Sequence, residues 1–142
     1  MSALAVLIDT DVLLDFLIDR GPDTKNAKLI VRKSQEKTIN AFLAAHSITN
    51  IFFILRKIYT ASERKQILMD LCCFISIAGI GHEAIFSALA NKNFDDLEDC
   101  LQAECAAAVK ADFIITRNIR DYTHSSITAI LPTTLLKKLR SM

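Results

Sequence analysis

Residues 3–17 read ALAVLIDTDVLLDFL, and the change of pattern inside that stretch decides the fold class. Ala3 to Ile8 is an unbroken apolar run, the pattern of a strand buried on both faces. The run stops at Asp9-Thr10-Asp11. Apolar residues then recur with helical spacing at Val12, Leu13, Phe16 and Leu17. Gly21-Pro22-Asp23 breaks this helix, and Asp23 or Thr24 suits the cap of a second one. That second helix carries Ala27, Leu29, Ile30 and Val31, with a basic face of Lys25, Lys28, Arg32 and Lys33.

The alternation continues to the C-terminus. Thr38 to Ala44 reads as a second strand. From Ser47 to Tyr59 the period is helical, with Ile48, Ile51, Phe52, Leu55 and Ile58 on one face. A helix is expected over Ser62 to Cys72, a third strand over Phe74 to Ile80 and a short helix over Glu83 to Ala90. Asp95 or Asp96 opens a longer helix reaching Lys110, with its acids at the end where the helix dipole favours them. Asp112 to Thr116 is a fourth buried strand and Ile127 to Leu131 a short fifth. A last helix carries Leu135, Leu136 and Leu139. Strand and helix in turn predict an α/β domain with a mainly parallel sheet of four to five short strands, covered by helices on both faces.

Composition agrees. The 142 residues suit a single domain over 1–142, and 51% are hydrophobic, which supplies a core and argues against disorder. Three Gly and two Pro are too few for an all-β chain of tight turns. A net charge of +1 neither announces nor excludes a nucleic-acid partner. Cys72, Cys73, Cys100 and Cys105 have neither zinc-ligand spacing nor nearby His. They read as small core hydrophobes in a reducing cytoplasm. The apolar N-terminus lacks a basic lead and is cut by Asp9, so no signal peptide is expected. Leu71 to Ile80 is about half the ~20 residues of a membrane span, so no membrane association is expected.

In a parallel α/β sheet the functional crevice lies beyond the carboxyl ends of the strands. The chain places Asp9 and Asp11 after the first strand, His46 and Ser47 after the second, and Asn118 and Asp121 after the fourth. Asp96 and Asp99 are i,i+3 on the long helix, with Asp95 and Asp99 an i,i+4 alternative. Like charges at these spacings repel unless a cation or a basic group lies between them. Oxygen-only clusters favour hard ions such as Mg²⁺ or Mn²⁺. Taken singly, each feature has an ordinary use: a first-turn acid complements the dipole, Asn50 is a polar helix position, and Arg117 and Arg120 are solvated loop charges. Only the joint pattern, with acids or amides from three places at one sheet edge, points to a cation site.

Three segments carry a resemblance. Leu7-Ile8-Asp9-Thr10-Asp11-Val12-Leu13-Leu14-Asp15 resembles the opening motif of PIN domains. Asp96-Leu97-Glu98-Asp99-Cys100-Leu101-Gln102-Ala103 is similar to their second acidic motif. Phe113-Ile114-Ile115-Thr116-Arg117-Asn118-Ile119-Arg120-Asp121-Tyr122 resembles the closing strand and its acidic turn. The resemblance implies a compact three-layer α/β/α fold and metal-dependent ribonuclease activity, often as the toxin of a VapC-type toxin–antitoxin pair. It implies Asp9, Asp96 and Asp99 as metal ligands with Mg²⁺ or Mn²⁺. Asn118 stands at the fourth acidic position, with Asp121 beside it. Asp11, Asn50 and Thr116 are expected to support these ligands, and Arg117, Arg120 and Lys57 to hold RNA phosphates. It further implies an RNA substrate, a small antitoxin partner and a homodimer, for which Phe52, Phe53 and Tyr59 could serve as contacts. One departure stands out: Asn50 occupies the place where many PIN nucleases carry a Glu. Asp9-Thr10-Asp11-Val12-Leu13 also fits the start of haloacid-dehalogenase-like phosphatases. A further alternative is a non-catalytic PIN-like module that binds RNA or protein.

Overall fold

Parallel strands need long crossovers, and this chain supplies a helical crossover between most of them. The computed structural model describes residues 3–142. Strands β1 (Leu4–Ile8), β2 (Ile39–Ala44), β3 (Ser76–Ala78), β4 (Phe113–Ile115) and β5 (Ala129–Ile130) form one sheet. Its order is β3-β2-β1-β4-β5, and all four pairings are parallel. The helices are α1 (Thr10–Ile18), α2 (Asp23–Gln35), α3 (Ala45–Ile54), α4 (Ala61–Leu71), α5 (His82–Ala90), α6 (Leu97–Ala108) and α7 (Pro132–Arg140).

The first strand explains the layering. Side chains alternate across a strand. Val6 and Ile8 therefore join one core with Val12, Leu13, Ile30, Ile51 and Leu135, from α1, α2, α3 and α7. Leu7 points the other way, into a core with Ala103, Cys105 and Ala106 of α6, Ile114 and Tyr122. Burying a Leu or Ile side chain stabilises by roughly 1.5–3 kcal/mol, so both cores commit this central strand to helices on its two faces.

The chain builds outward from β1 to β2 and β3 on one side, then crosses to β4 and β5 on the other. The order reverses between β1 and β4. At that reversal the helices leave in opposite directions and open a crevice at the strands' carboxyl ends. Asp9 lies there, its backbone N–H bonded to the carbonyl of Ile115 on β4 at 2.9 Å.

Several local expectations change. The helix expected over Ser47 to Tyr59 is α3 followed by a 3-10 turn, Leu55–Lys57. The tighter turn shifts the helical phase, so Leu55 stays buried while Ile58 is exposed. The third strand begins at Ser76 because the N–H groups of Phe74 and Ile75 still bond back to Leu71 of α4. Cys100 and Cys105 are core residues as expected, but Cys72 and Cys73 are exposed. They lie in the turn that ends α4, past its buried Leu68 and Leu71. No helix among the described residues is long and apolar enough to cross a membrane.

Candidate functional site

Asp9, Asp11, Asn50, Asp96, Glu98, Asp99, Asn118 and Asp121 line one cavity of about 420 Å³ at the switch point. Each arrives by a different route. Asp9 follows β1 as the N-cap of α1, and Asp11 is in that helix's first turn. Asn50 comes from α3, and Glu98 and Asp99 from the first turn of α6. Asn118 and Asp121 come from the loop and 3-10 turn after β4. Leu14, Phe53 and Ile54 complete the wall, with Phe53 60% exposed at the mouth.

Asp9 is buried, and burial raises its pKa. Thr116, fully buried at the end of β4, counters this by donating its hydroxyl to Asp9 Oδ2 at 2.8 Å. Thr116 in turn accepts the backbone N–H of Asn118 at 3.0 Å, which fixes the loop that brings Asn118 to the cavity. Asp99 is pushed up to about 7, first by partial burial and then by repulsion from Asp96, Asp121, Asp9 and Glu98. Glu98 is raised for the same reasons, burial first and Asp9 next, while the neighbouring Asn50 amide lowers it. Tyr122 is buried in the core with Leu7, Ala103 and Ile114. Burial and the charges of Asp9 and Asp99 push its phenol far up, so it stays protonated.

The donor set is almost all oxygen and strongly negative, which suits Mg²⁺ or Mn²⁺ and does not suit a soft ion. Its inner atoms are not drawn into a coordination sphere. Among the described residues no three His, Cys, Asp or Glu side chains converge closely enough to grip an ion as they stand. Mutual repulsion of carboxylates accounts for such spreading. The expected trio of Asp9, Asp96 and Asp99 therefore shares a cavity without forming a closed cage. Asp96 also has a second duty. It is the N-cap of α6, and its Oδ1 accepts the Asp99 backbone N–H at 3.2 Å.

Beneath the acids a polar junction joins three helices. Gln102 of α6 is 0% exposed and donates to Ser47 Oγ of α3 at 2.8 Å and to Thr10 Oγ1 of α1 at 3.2 Å. The two hydroxyls are themselves 2.7 Å apart. These bonds fix the relative positions of the helices that carry Asp11, Asn50 and Asp99. Ser47 was legible as a polar residue after β2, whereas Gln102 gives no signal in the sequence beyond being three residues past Asp99.

The basic residues divide differently from expectation. Arg117 does not line the cavity. Its Nε lies 2.8 Å from Asp15 Oδ2, and Arg20 Nε lies 2.8 Å from Asp15 Oδ1. Asp15 is 2% exposed, and a buried carboxylate requires such partners, so Arg117 braces the β4 loop against α1. Lys57 is exposed on the 3-10 turn and does not line the cavity. Its neighbour Arg56 is closer to the mouth, stacked 3.6 Å from the centroid of Phe53. Arg120 borders a contiguous depression with Asp96, Asp99 and Asp121. The residues missed from sequence are thus Glu98, in the cavity wall, and Gln102, which joins its helices; Arg56 and Tyr122 lie behind the lining, against Phe53 and in the core. Glu98 was read only as a first-turn acid, and Tyr122 only as part of a motif.

The sequence matches the PIN domain family over residues 5–120. The chain belongs to the PIN domain family. The fold agrees with solved PIN-like chains. A toxin–antitoxin complex from Klebsiella pneumoniae contains a chain that is 18% identical, with a TM-score of 0.66 over 89% of this chain and 97% of that one. A DNA-bound VapBC from Salmonella typhimurium gives 14% identity and a TM-score of 0.66, over 91% and 98%. VapBC2 from Rickettsia felis, bound to a promoter DNA fragment, gives 12% identity and a TM-score of 0.64, over 90% and 98%. No curated protein matches the sequence significantly. In this PIN domain the Asp9-Thr10-Asp11 turn is the family's opening motif, and the phosphatase reading of the same residues falls away.

Proposed function

We propose that this PIN domain is a divalent-metal-dependent endoribonuclease that cuts single-stranded RNA, and that it is the toxin of a toxin–antitoxin pair. The observation that carries the reading is the cavity at the switch point, where Asp9, Glu98 and Asp99 meet and where partial burial, then repulsion from Asp96, Asp121, Asp9 and Glu98, push the Asp99 carboxyl up to about 7. Such a cluster is relieved by a cation. Asp9 and Asp99 would hold Mg²⁺ or Mn²⁺, with Asp96 and Asp121 at the edge and Asn118 offering its carbonyl oxygen. Asn50 brings no charge, but Glu98 stands beside it and restores the carboxylate that α3 lacks. When bound, an ion of this kind supplies Lewis acidity toward a phosphodiester and toward water.

The chain's own groups do the rest. Thr116 holds Asp9 in one orientation through its 2.8 Å bond. The Gln102 junction keeps α1, α3 and α6 in register. Arg120 borders the acids and Arg56 stacks on Phe53 of the cavity wall, and both are suited to flanking phosphates. Lys57 extends the basic surface beyond Arg56. Exposed Phe53 and Ile54 beside an acidic cavity suit a small antitoxin that offers apolar anchors and a basic side chain, and a homodimer would also cover part of α3. The similar Klebsiella pneumoniae chain comes from a toxin–antitoxin complex, which supports the same pairing here. The proposed setting is the cytoplasm.

A second reading has one observation in its favour. With Asn50 and Asn118 neutral and no ready-made cage among the described residues, the domain would bind RNA or protein without cutting it. One assay separates the two. Purified protein is incubated with an unstructured RNA in Mn²⁺, in Mg²⁺ and in EDTA, beside Asp9→Asn and Asp99→Asn. The nuclease reading expects cleavage with metal only, lost at least 100-fold in both variants with the fold retained. Equal cleavage by wild type and both variants, or none at all by wild type, contradicts it.

A further inference from the structure

Phe53 lines the same cavity as Asp9 and Asp99, yet its ring is 60% exposed. The ring is held in place. The Arg56 guanidinium lies 3.6 Å from its centroid, and Arg56 Nη1 donates to the Phe53 carbonyl at 2.9 Å. Arg64 of α4 fixes the neighbouring Phe52 in the same way, 4.1 Å from that ring and donating to the Phe52 carbonyl at 2.8 Å. Phe52 packs against the core, whereas Phe53 stands at the cavity mouth. With a guanidinium over one face of Phe53, the exposure falls on the opposite face and the edge. Asn50 and Phe53 are i,i+3, so they share the face of α3 that borders the acids.

An apolar ring fixed open to water does little for the fold, and a ligand with a flat apolar face recovers its burial. Charge selects among such ligands. Arg56 sets a positive charge beside the ring, which suits an anionic ligand and repels a basic one. Single-stranded nucleic acid brings a phosphate and a free π-face in each nucleotide.

We propose that Phe53 is the stacking platform for one unpaired nucleobase, that of a nucleotide beside the phosphate held at the acidic cavity. The inference rests on the nuclease reading above and deepens it, because a base paired and stacked in a duplex has no free face to give. Every base has a π-face, so the ring selects strandedness and not sequence. An antitoxin that covers Phe53 then competes directly with RNA.

The test mixes wild type, Phe53→Leu and Phe53→Tyr in Mg²⁺ with an unstructured RNA carrying 2-aminopurines spaced by uridines, whose fluorescence is quenched on stacking. Stopped-flow fluorescence reads binding before cleavage, and the cleavage rates give KM and kcat. Leu keeps an apolar side chain without a π-face, and Tyr keeps the ring. Quenching is expected on binding to wild type and Phe53→Tyr and not to Phe53→Leu. KM of Phe53→Leu should rise about tenfold, the loss of one base stack, with kcat within about twofold of wild type. Unchanged quenching or unchanged KM in Phe53→Leu overturns the inference and leaves the ring as a protein contact only. If wild type quenches the probe without cutting it, the stacking stands and the nuclease reading falls. If wild type binds no RNA, both fall.

Discussion

Asp99→Asn should make the metal-free protein more stable while removing its cation site. The carboxyl of Asp99 stands at about 7 in the fold against an ordinary 3.8, through burial first and then its acidic neighbours. The folded-state value is raised, so between those two values the folded chain keeps a proton that the unfolded chain has released. Stability therefore falls as pH rises from about 4 to about 7 and stays lowered above that. At about 1.4 kcal/mol per pH unit the full penalty is about 4 kcal/mol. Solvent reaches this carboxyl, and screening cuts the figure to about 2 kcal/mol. The dipole of α6 favours a charge in its first turn and offsets up to ~1 kcal/mol more. Asp99→Asn should thus gain about 1–2 kcal/mol at pH 8, or ~3–6 °C in melting temperature, and little at pH 4. The assay is urea and thermal unfolding in EDTA across that pH range. The reasoning is refuted if the variant is less stable than wild type at pH 8, or if the gap does not change with pH.

Three further outcomes follow from the same geometry. Mn²⁺ affinity of the wild type should weaken by about tenfold per pH unit below pH 7, since the cation must displace the Asp99 proton, and calorimetry at pH 5.5, 6.5 and 7.5 checks it. Gln102→Met keeps the volume but removes two buried donors, so it should cost about 1–2 kcal/mol in urea unfolding and also weaken Mn²⁺ binding by loosening α1, α3 and α6. Arg117→Ala should destabilise by about 2 kcal/mol through Asp15 while leaving the salt dependence of RNA binding unchanged; Arg120→Ala should do the reverse, lowering the salt slope with little effect on stability.

Much of this fold was legible because burial writes itself into pattern. The apolar run before Asp9 and the run Phe113 to Ile115 mark strands covered on both faces, and a mainly parallel sheet follows from strands that alternate with helices; the strand order β3-β2-β1-β4-β5 comes from the fold alone. Element ends were less legible, since Leu55–Lys57 tightens into a 3-10 turn and Phe74 and Ile75 stay bonded to α4. For the site, the spacing of acids around strand ends located Asp9, Asp99, Asn118 and Asp121 at one cavity. What spacing does not reveal is partnership. Arg117 reads as a loop cation until the buried Asp15 is seen against it. Gln102 reads as one more helix residue until Ser47 and Thr10 converge on its amide. Tyr122 reads only as the end of the closing motif, and only the fold shows it buried against Leu7, Ala103 and Ile114. Each of these depends on residues tens of positions apart, a separation that no local pattern encodes.

The claim beneath all of this is that Asp9 and Asp99 together take up one divalent ion. Anomalous diffraction from crystals grown with Mn²⁺ tests it directly. The account predicts one strong manganese peak between the two side chains, with an oxygen of each within about 2.3 Å, and no peak there in Asp9→Asn. A structure at saturating Mn²⁺ with no density between them, or with the ion bound only elsewhere, contradicts it.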